Sequence, residues 1–132
     1  MDSKILDSYA LMAFLQDEPS ADVVEGILIA ASEGKIHLAV CAVNLGEVWY
    51  STRRAISPEA ADRYVMQIQG MSIEVVDASW EISRQAAVYK SIGGISYADC
   101  FAAALAKLRN AELVTGDKEF KKVEKEIKIS WL

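Results

Sequence analysis

Five short apolar runs of β-strand length alternate along this chain with longer segments whose apolar residues recur at helical spacing. The runs predicted as strands are residues 4–7, 36–40, 73–76, 112–115 and 127–129. Helices are predicted to start near Ser8, Ser20, Val43, Ser57, Tyr97, and either Asp77 or Ser79. Because a strand, a helix and a further strand form a right-handed crossover, the alternation predicts a three-layer α/β/α fold around a mainly parallel five-stranded sheet.

Size and composition are those of one globular unit. The length of 132 residues fits a single domain over residues 1–132, with 52% apolar and 25% charged residues. No apolar run approaches the roughly 20 residues that a membrane span needs. Asp2 and Asp7 interrupt the region where a secretory signal would be basic and then apolar. We therefore expect a cytoplasmic protein with no membrane association.

Cysteine and histidine are too few and too scattered to form a familiar reactive or metal-binding motif. Cys41 and Cys100 are far apart in sequence, and Cys100 lies in an alanine-rich helical run typical of a buried core. His37 is the only histidine and lies in a predicted strand. Any catalysis must therefore use carboxylates, a metal ion or a hydroxyl group.

Four acidic residues lie where predicted strands or helices end, begin or turn: Asp7, Glu47, Asp99 and Asp117. Each has an ordinary structural explanation, since Asp7 can cap a helix, Glu47 can be an exposed helical residue and Asp117 can stabilise a turn. Asp99 can form a capping box with Ser96. Asp7 and Asp117 follow strands, however, and open α/β sheets bind ligands at strand ends. Converging carboxylates there would favour a hard divalent cation and chemistry on phosphate esters.

Two polar residues accompany these acids. Asn44 lies three residues before Glu47, on the same side of the predicted helix. Thr115 offers a hydroxyl group beside Asp117. Both are candidate auxiliary residues of the same site.

Glu119 is a possible fifth acid. Lys118 and Lys121 flank it, so we expect a surface ion pair instead.

The formal net charge of −5 does not favour a conventional nucleic-acid-binding surface, which is usually basic. Two bound divalent cations would change that charge from −5 to −1 and reverse the local potential at the acids. Basic residues also cluster in places, as at Arg53 and Arg54.

Four motifs in order give the chain a family resemblance. They are residues 5–11, 44–48, 95–104 and 113–120, followed by a closing apolar segment at 127–132. In order, spacing and total length they resemble a PIN domain, and in particular the VapC-like toxins of bacterial and archaeal toxin–antitoxin pairs. The resemblance spans nearly the whole chain.

The resemblance implies a metal-dependent endoribonuclease that hydrolyses RNA phosphodiester bonds. By the family pattern, one or two magnesium or manganese ions are held by the catalytic residues Asp7, Glu47, Asp99 and Asp117. Ser8 and Thr115 match positions where the family often has helper hydroxyl groups, and Glu18 resembles an acidic position near the site of some toxins. The family also implies a homodimer and a small cognate antitoxin that blocks the cleft.

Three other functions are weighed against this one. A PIN-fold protein without nuclease activity would serve as a partner-binding module, but all four acids are present here. A receiver-type signalling domain needs an acceptor aspartate at the end of a middle strand, where this chain has Val40 and Cys41. A haloacid-dehalogenase-like phosphatase needs a second aspartate two residues after the first, where this chain has Tyr9.

Overall fold

A computed structural model describes residues 2–132 and contains one five-stranded sheet. Its strands are β1 (Asp2–Leu6), β2 (Ile36–Cys41), β3 (Glu74–Val76), β4 (Glu112–Thr115) and β5 (Ile129–Trp131). They lie in the order β3-β2-β1-β4-β5, and every neighbouring pair is parallel. The predicted five-stranded sheet is thus confirmed, and it is wholly parallel.

Helices connect the strands and cover both faces of the sheet. They are α1 (Ser8–Leu15), α2 (Ala21–Ser32), α3 (Ala42–Ala55), α4 (Pro58–Gln69), α5 (Trp80–Ile92) and α6 (Tyr97–Arg109), followed by a 3₁₀ helix (Lys118–Val123). None of the helices in the described part of the chain has the length and apolar character needed to cross a bilayer.

Neighbouring strand residues point into two separate cores, because side chains alternate across a β-strand. Ile5 and Leu113 pack with α5, α6 and the 3₁₀ helix. Leu6 and Val114 pack with residues of α1, α2, α3 and α4. This alternation confirms the three-layer α/β/α architecture.

Helix α6 is the most deeply buried helix of the fold. Its residues from Asp99 to Ala106 are all buried, and five of these eight are alanine or cysteine, which lets the helix pack closely on the sheet. Gly93 and Gly94, with φ of 91° and 79°, provide the left-handed backbone that turns the chain from α5 into α6. The start of α6 is thereby held at the carboxyl end of the sheet.

The strand order reverses at β1, which lies between β2 and β4. Such a reversal opens a crevice at the carboxyl ends of the central strands, where ligands of open α/β proteins bind. Here the crevice lies between the segments that follow β1 and β4, which begin at Asp7 and Gly116.

One local prediction was wrong. The fifth strand lies at Ile129–Trp131 instead of 127–129, because its pairing with β4 aligns Leu113 with Ile129 and leaves Ile127 buried in the core. Helix α1 begins at Ser8, as predicted, and its N-cap is Asp7. The 3₁₀ helix was not predicted as a separate element.

Candidate metal centre

Asp7 is fully buried at the carboxyl end of β1. Its Oδ1 accepts a hydrogen bond of 2.9 Å from the backbone N–H of Ala10, which caps α1. Its Oδ2 accepts a hydrogen bond from the Thr115 hydroxyl at the end of β4. Asp7 therefore both caps a helix and lies in the crevice between β1 and β4, so the two roles considered for it from sequence coexist.

The turn after β4 is organised by Thr115 and Asp117. The Thr115 hydroxyl accepts a hydrogen bond of 3.0 Å from the backbone N–H of Asp117, and Asp117 Oδ1 accepts one of 3.0 Å from the backbone N–H of Glu119. A Cβ on Gly116 would lie 2.4 Å from Cε1 of Tyr9, so the Tyr9 ring occupies the space a side chain would need. The turn holds Asp117 close to Asp7 through their shared contact with Thr115.

Glu47 is held at one of its two carboxylate oxygens. Oε1 accepts hydrogen bonds of 3.0 Å from the Ser8 hydroxyl and 3.0 Å from Asn44 Nδ2. Asn44 Nδ2 also donates to the backbone carbonyl of Ala98 at 3.0 Å, which links α3 to the start of α6. Among the described residues, the hydrogen-bond donor that contacts Oε2 is the Tyr50 hydroxyl, at 3.5 Å. Glu47 is thus partly buried and oriented, rather than an exposed helical glutamate.

Asp99 lies in the first turn of α6 and is 5% exposed. Its backbone N–H donates to the hydroxyl of Ser96, the N-cap, at 3.2 Å, as expected for a capped helix start. Carboxylate oxygens of Asp99, Asp117 and Glu119 all lie within 4.8 Å of one another. The expected surface ion pair of Glu119 with a lysine is wrong, because Glu119 joins the acidic cluster instead.

Burial makes these carboxylates costly to ionise. Desolvation raises the pKa of Asp7 to about 7, against the lowering effect of hydrogen bonds from Thr115 and Ala10. Desolvation, together with the negative charges of Asp117 and Glu47, raises the pKa of Asp99 to about 8. No salt bridge within residues 2–132 involves Asp7, Glu47, Asp99 or Asp117. The positive charge that would balance these anions is therefore not supplied by the described side chains.

The donor groups at this position fit a hard divalent cation. All of the clustered side-chain donors are oxygen atoms, which magnesium and manganese prefer. Asn44 is fully buried, and its Oδ1 has no hydrogen-bond partner among the described residues. Cys100 follows Asp99, but burial raises the pKa of its thiol to about 11, so it stays protonated and is a poor metal ligand.

Two other residues noted in the sequence lie elsewhere. Glu18 is exposed and lines a cavity of about 340 Å³ beside Tyr9, outside the hydrogen-bonded acidic cluster. His37 is paired with Glu74 at 2.7 Å on the surface.

Sequence reasoning missed the contributions of Tyr9 and Tyr50. The signal for Tyr50 was its position three residues after Glu47, which places both on one side of a helix. Tyr9 carries no comparable signal, because its contact with Gly116 joins residues that are distant in sequence.

Comparison with known protein families matches the PIN domain over residues 4–126. This chain belongs to the PIN domain family. Comparison with curated protein sequences found no match.

Solved structures resemble this PIN domain over nearly its full length. A chain of DNA-bound VapBC from Salmonella typhimurium is 18% identical, with a TM-score of 0.79 and 98% of each chain covered. A chain of VapBC2 from Rickettsia felis, bound to a promoter DNA fragment, is 18% identical, with a TM-score of 0.78 and 97% of each chain covered.

A third similar structure is that of VapC20 from Mycobacterium tuberculosis, a sarcin–ricin loop cleaving toxin. It is 15% identical to this chain, with a TM-score of 0.71, and the match covers 89% of this chain and 92% of the VapC20 chain. At these identities the similarity shows that this PIN domain has the VapC fold.

Proposed function

We propose that this PIN domain is a metal-dependent endoribonuclease that hydrolyses RNA phosphodiester bonds and acts as the toxin of a toxin–antitoxin pair. The observation that supports this best is the group of acids without salt bridges at the carboxyl ends of β1 and β4. The resemblance in fold to VapC20, which cleaves the sarcin–ricin loop, supports RNA as the substrate class.

The proposed metal ligands are the carboxylates of Asp7, Glu47, Asp99 and Asp117, with one or two magnesium or manganese ions. A bound divalent cation supplies Lewis acidity and lowers the pKa of a water ligand, which gives a nucleophile near neutral pH. The protein's part is orientation and proton release. In particular, Asp7 and Asp99 must lose the protons that their raised pKa values favour before they bind a cation.

Three auxiliary residues keep these carboxylates in position. Thr115 donates to one oxygen of Asp7, which fixes the plane of that carboxylate in the crevice. Ser8 and Asn44 both donate to Oε1 of Glu47. Oε2 of Glu47 is thereby left available to a cation, because the one hydrogen-bond donor that contacts it among the described residues lies 3.5 Å away.

The proposed partners are a cognate antitoxin and a second copy of this chain, in the cytoplasm. The fold resembles chains of VapBC structures, and the VapBC family is one of toxin–antitoxin systems. An antitoxin that covers the crevice would keep RNA from the acids.

The direct test is cleavage of total RNA by the purified protein with Mg²⁺ or Mn²⁺. We expect cleavage by the natural protein and by Asp22→Asn, an exposed acid of α2, and a loss of at least about a hundredfold in Asp7→Asn. Equal cleavage by Asp7→Asn would show that the assigned site is wrong. Absence of RNA cleavage by the natural protein would favour the partner-binding module instead.

Toxin activity is tested in cells. Expression of the natural protein should arrest growth, and co-expression of the small reading frame next to its gene should relieve the arrest. Asp99→Asn should grow normally at the same protein level. Growth arrest by Asp99→Asn would contradict a toxic effect through this site.

A further inference from the structure

One face of α3 continues from the candidate metal centre with an aromatic residue and a basic residue. Tyr50 follows Glu47 by one helical turn, and its hydroxyl lies 3.5 Å from Glu47 Oε2. This distance is long for a hydrogen bond between oxygen atoms, so it marks proximity more than a strong contact. Tyr50 is 44% exposed, so its ring is accessible to an external ligand.

Arg54 continues this face. Its Cζ lies 5.0 Å from the centroid of the Tyr50 ring, within the range of a cation–π contact. Glu47, Tyr50 and Arg54 therefore form a continuous strip, about 10 Å long at the rise of an α-helix. Arg54 is exposed and forms no salt bridge within the described part of the chain. Its charge is thus available to an anion.

A strip of this kind matches a single-stranded nucleic acid better than other ligands of a nuclease. Proteins bind single strands by stacking bases on exposed aromatic rings and by pairing phosphates with nearby cations, and arginine adds cation–π contact. The strip starts at a candidate metal ligand, so a strand held there would have one phosphate at the acids and the next within reach of Arg54. On a protein with a net charge of −5, such a local cation is also needed to offset repulsion of the RNA backbone.

We propose that the Tyr50–Arg54 strip of α3 binds the single-stranded nucleotide adjoining the scissile phosphate of RNA, with its base on Tyr50 and its phosphate on Arg54. The inference rests on the proposed ribonuclease function. It predicts that RNA is held as a single strand at this end of the crevice, since a base in a duplex has no free face for the ring.

Arg54 also lies in the last turn of α3, where a cation stabilises a helix through its dipole. That role affects folding stability and leaves RNA affinity untouched. The two roles therefore separate in an experiment that measures stability and RNA binding on the same variants.

The test uses a fluorescent single-stranded oligoribonucleotide of mixed sequence that the natural protein cleaves with Mn²⁺. Tyr50→Leu should raise KM roughly tenfold or more, with kcat changed by less than about threefold, because stacking acts in binding. Tyr50→Phe should keep KM within about twofold, since it retains the ring and removes only the hydroxyl. The melting temperatures of both variants should stay close to that of the natural protein.

Arg54→Gln is tested through salt dependence. The slope of log KM against log salt should fall in magnitude by about 0.7, the value for one phosphate contact on a single strand. Arg84→Gln removes an exposed arginine from α5 in the opposite layer, and it should leave KM and the slope unchanged.

Unchanged KM in Tyr50→Leu and an unchanged slope in Arg54→Gln would overturn the proposal, provided that the natural protein cleaves the RNA. An equal loss in Arg84→Gln would also overturn it, because the effect would then come from net charge alone. Failure of the natural protein to cleave any RNA would refute the ribonuclease function itself, and this inference with it.

Discussion

Binding of a divalent cation to this PIN domain should release protons, and the amount follows from two carboxyl groups. Burial raises the pKa of Asp7 to about 7 and that of Asp99 to about 8. A carboxyl group must be ionised to bind a cation, so the groups that hold protons in the metal-free protein lose them on binding. The perturbation to apply is therefore pH, with no change to the sequence.

The size of the effect follows from these values. At pH 7 Asp7 is about half protonated and Asp99 is mostly protonated, so cation binding should release about one to two protons. If both groups must ionise, the apparent cation affinity should rise roughly several hundredfold between pH 6 and pH 8. The direction is fixed, since the folded protein without metal favours the protonated forms.

Calorimetric titration of the metal-free protein with Mn²⁺ measures both quantities. The proton count comes from repeating the titration at pH 7 in two buffers with different heats of ionisation. Glu74→Gln is the matched control, because hydrogen bonds from Arg109 and His37 lower the pKa of Glu74 to about 2. Glu74 is already ionised, so its removal should leave the proton count unchanged.

The reasoning fails if Mn²⁺ binds to the natural protein with no proton release at pH 7 and with equal affinity at pH 6 and pH 8. Such a result would mean that the two carboxyl groups are ionised without the cation, and hence that the pocket is more hydrated than its burial indicates. Loss of proton release in Glu74→Gln would place the titrating groups outside this site.

Three further predictions concern stability and the support of the site. In EDTA the melting temperature should fall as pH rises from 5 to 8, because the folded-state pKa values of Asp7 and Asp99 lie above 3.8 and the protonated forms stabilise the fold. Asp99→Asn should make the melting temperature less dependent on pH. A melting temperature of the natural protein that rises with pH would contradict the prediction. Thr115→Val should lower the free energy of unfolding by about 1–3 kcal/mol and weaken Mn²⁺ binding, because it removes the hydroxyl that contacts Asp7 and Asp117. Thr115→Ser should retain the stability, measured by denaturant titration, and the Mn²⁺ affinity, measured by calorimetry. Normal Mn²⁺ affinity in the valine variant would refute the role of the hydroxyl. Phe120→Ala should lower the free energy of unfolding by about 3–5 kcal/mol, because Phe120 is fully buried and anchors the helix that follows Asp117. Phe120→Leu should lower it less in the same denaturant titration. A loss below about 1 kcal/mol in the alanine variant would show that the side chain is not a core anchor.

Local sequence patterns were sufficient to predict the fold because most of its determinants are local. The apolar runs, the helical spacing and the caps at Ser57, Ser79 and Ser96 all lie within a few residues of the elements they define. The fifth strand was placed two residues early, because its register depends on pairing with β4. Ile127 has the same apolar character as Ile129, and only this pairing distinguishes them.

The candidate site was predicted less completely, for the same physical reason. The proximity of Asp7 and Asp117 follows from the rule that strand ends meet at one edge of the sheet, whereas Glu47 and Asp99 come from helices. The capping of α1 by Asp7 was predictable from the sequence, but its contact with Thr115 was not, because that contact spans 108 positions. Glu119 is exposed as expected, but an ion pair with a lysine was predicted in place of its position beside Asp99, because the turn that brings it there has no strong local signal.

The central position of β1 bears on when the candidate site can assemble during synthesis. The earliest acid of the site, Asp7, can find its hydroxyl partner only after the ribosome has released more than a hundred further residues, because the neighbouring strand is translated near the end. Asp117 follows that strand, so the site lacks it until then. Under the proposed function, the nascent chain would stay inert and the antitoxin would have until the completion of translation to be ready for it.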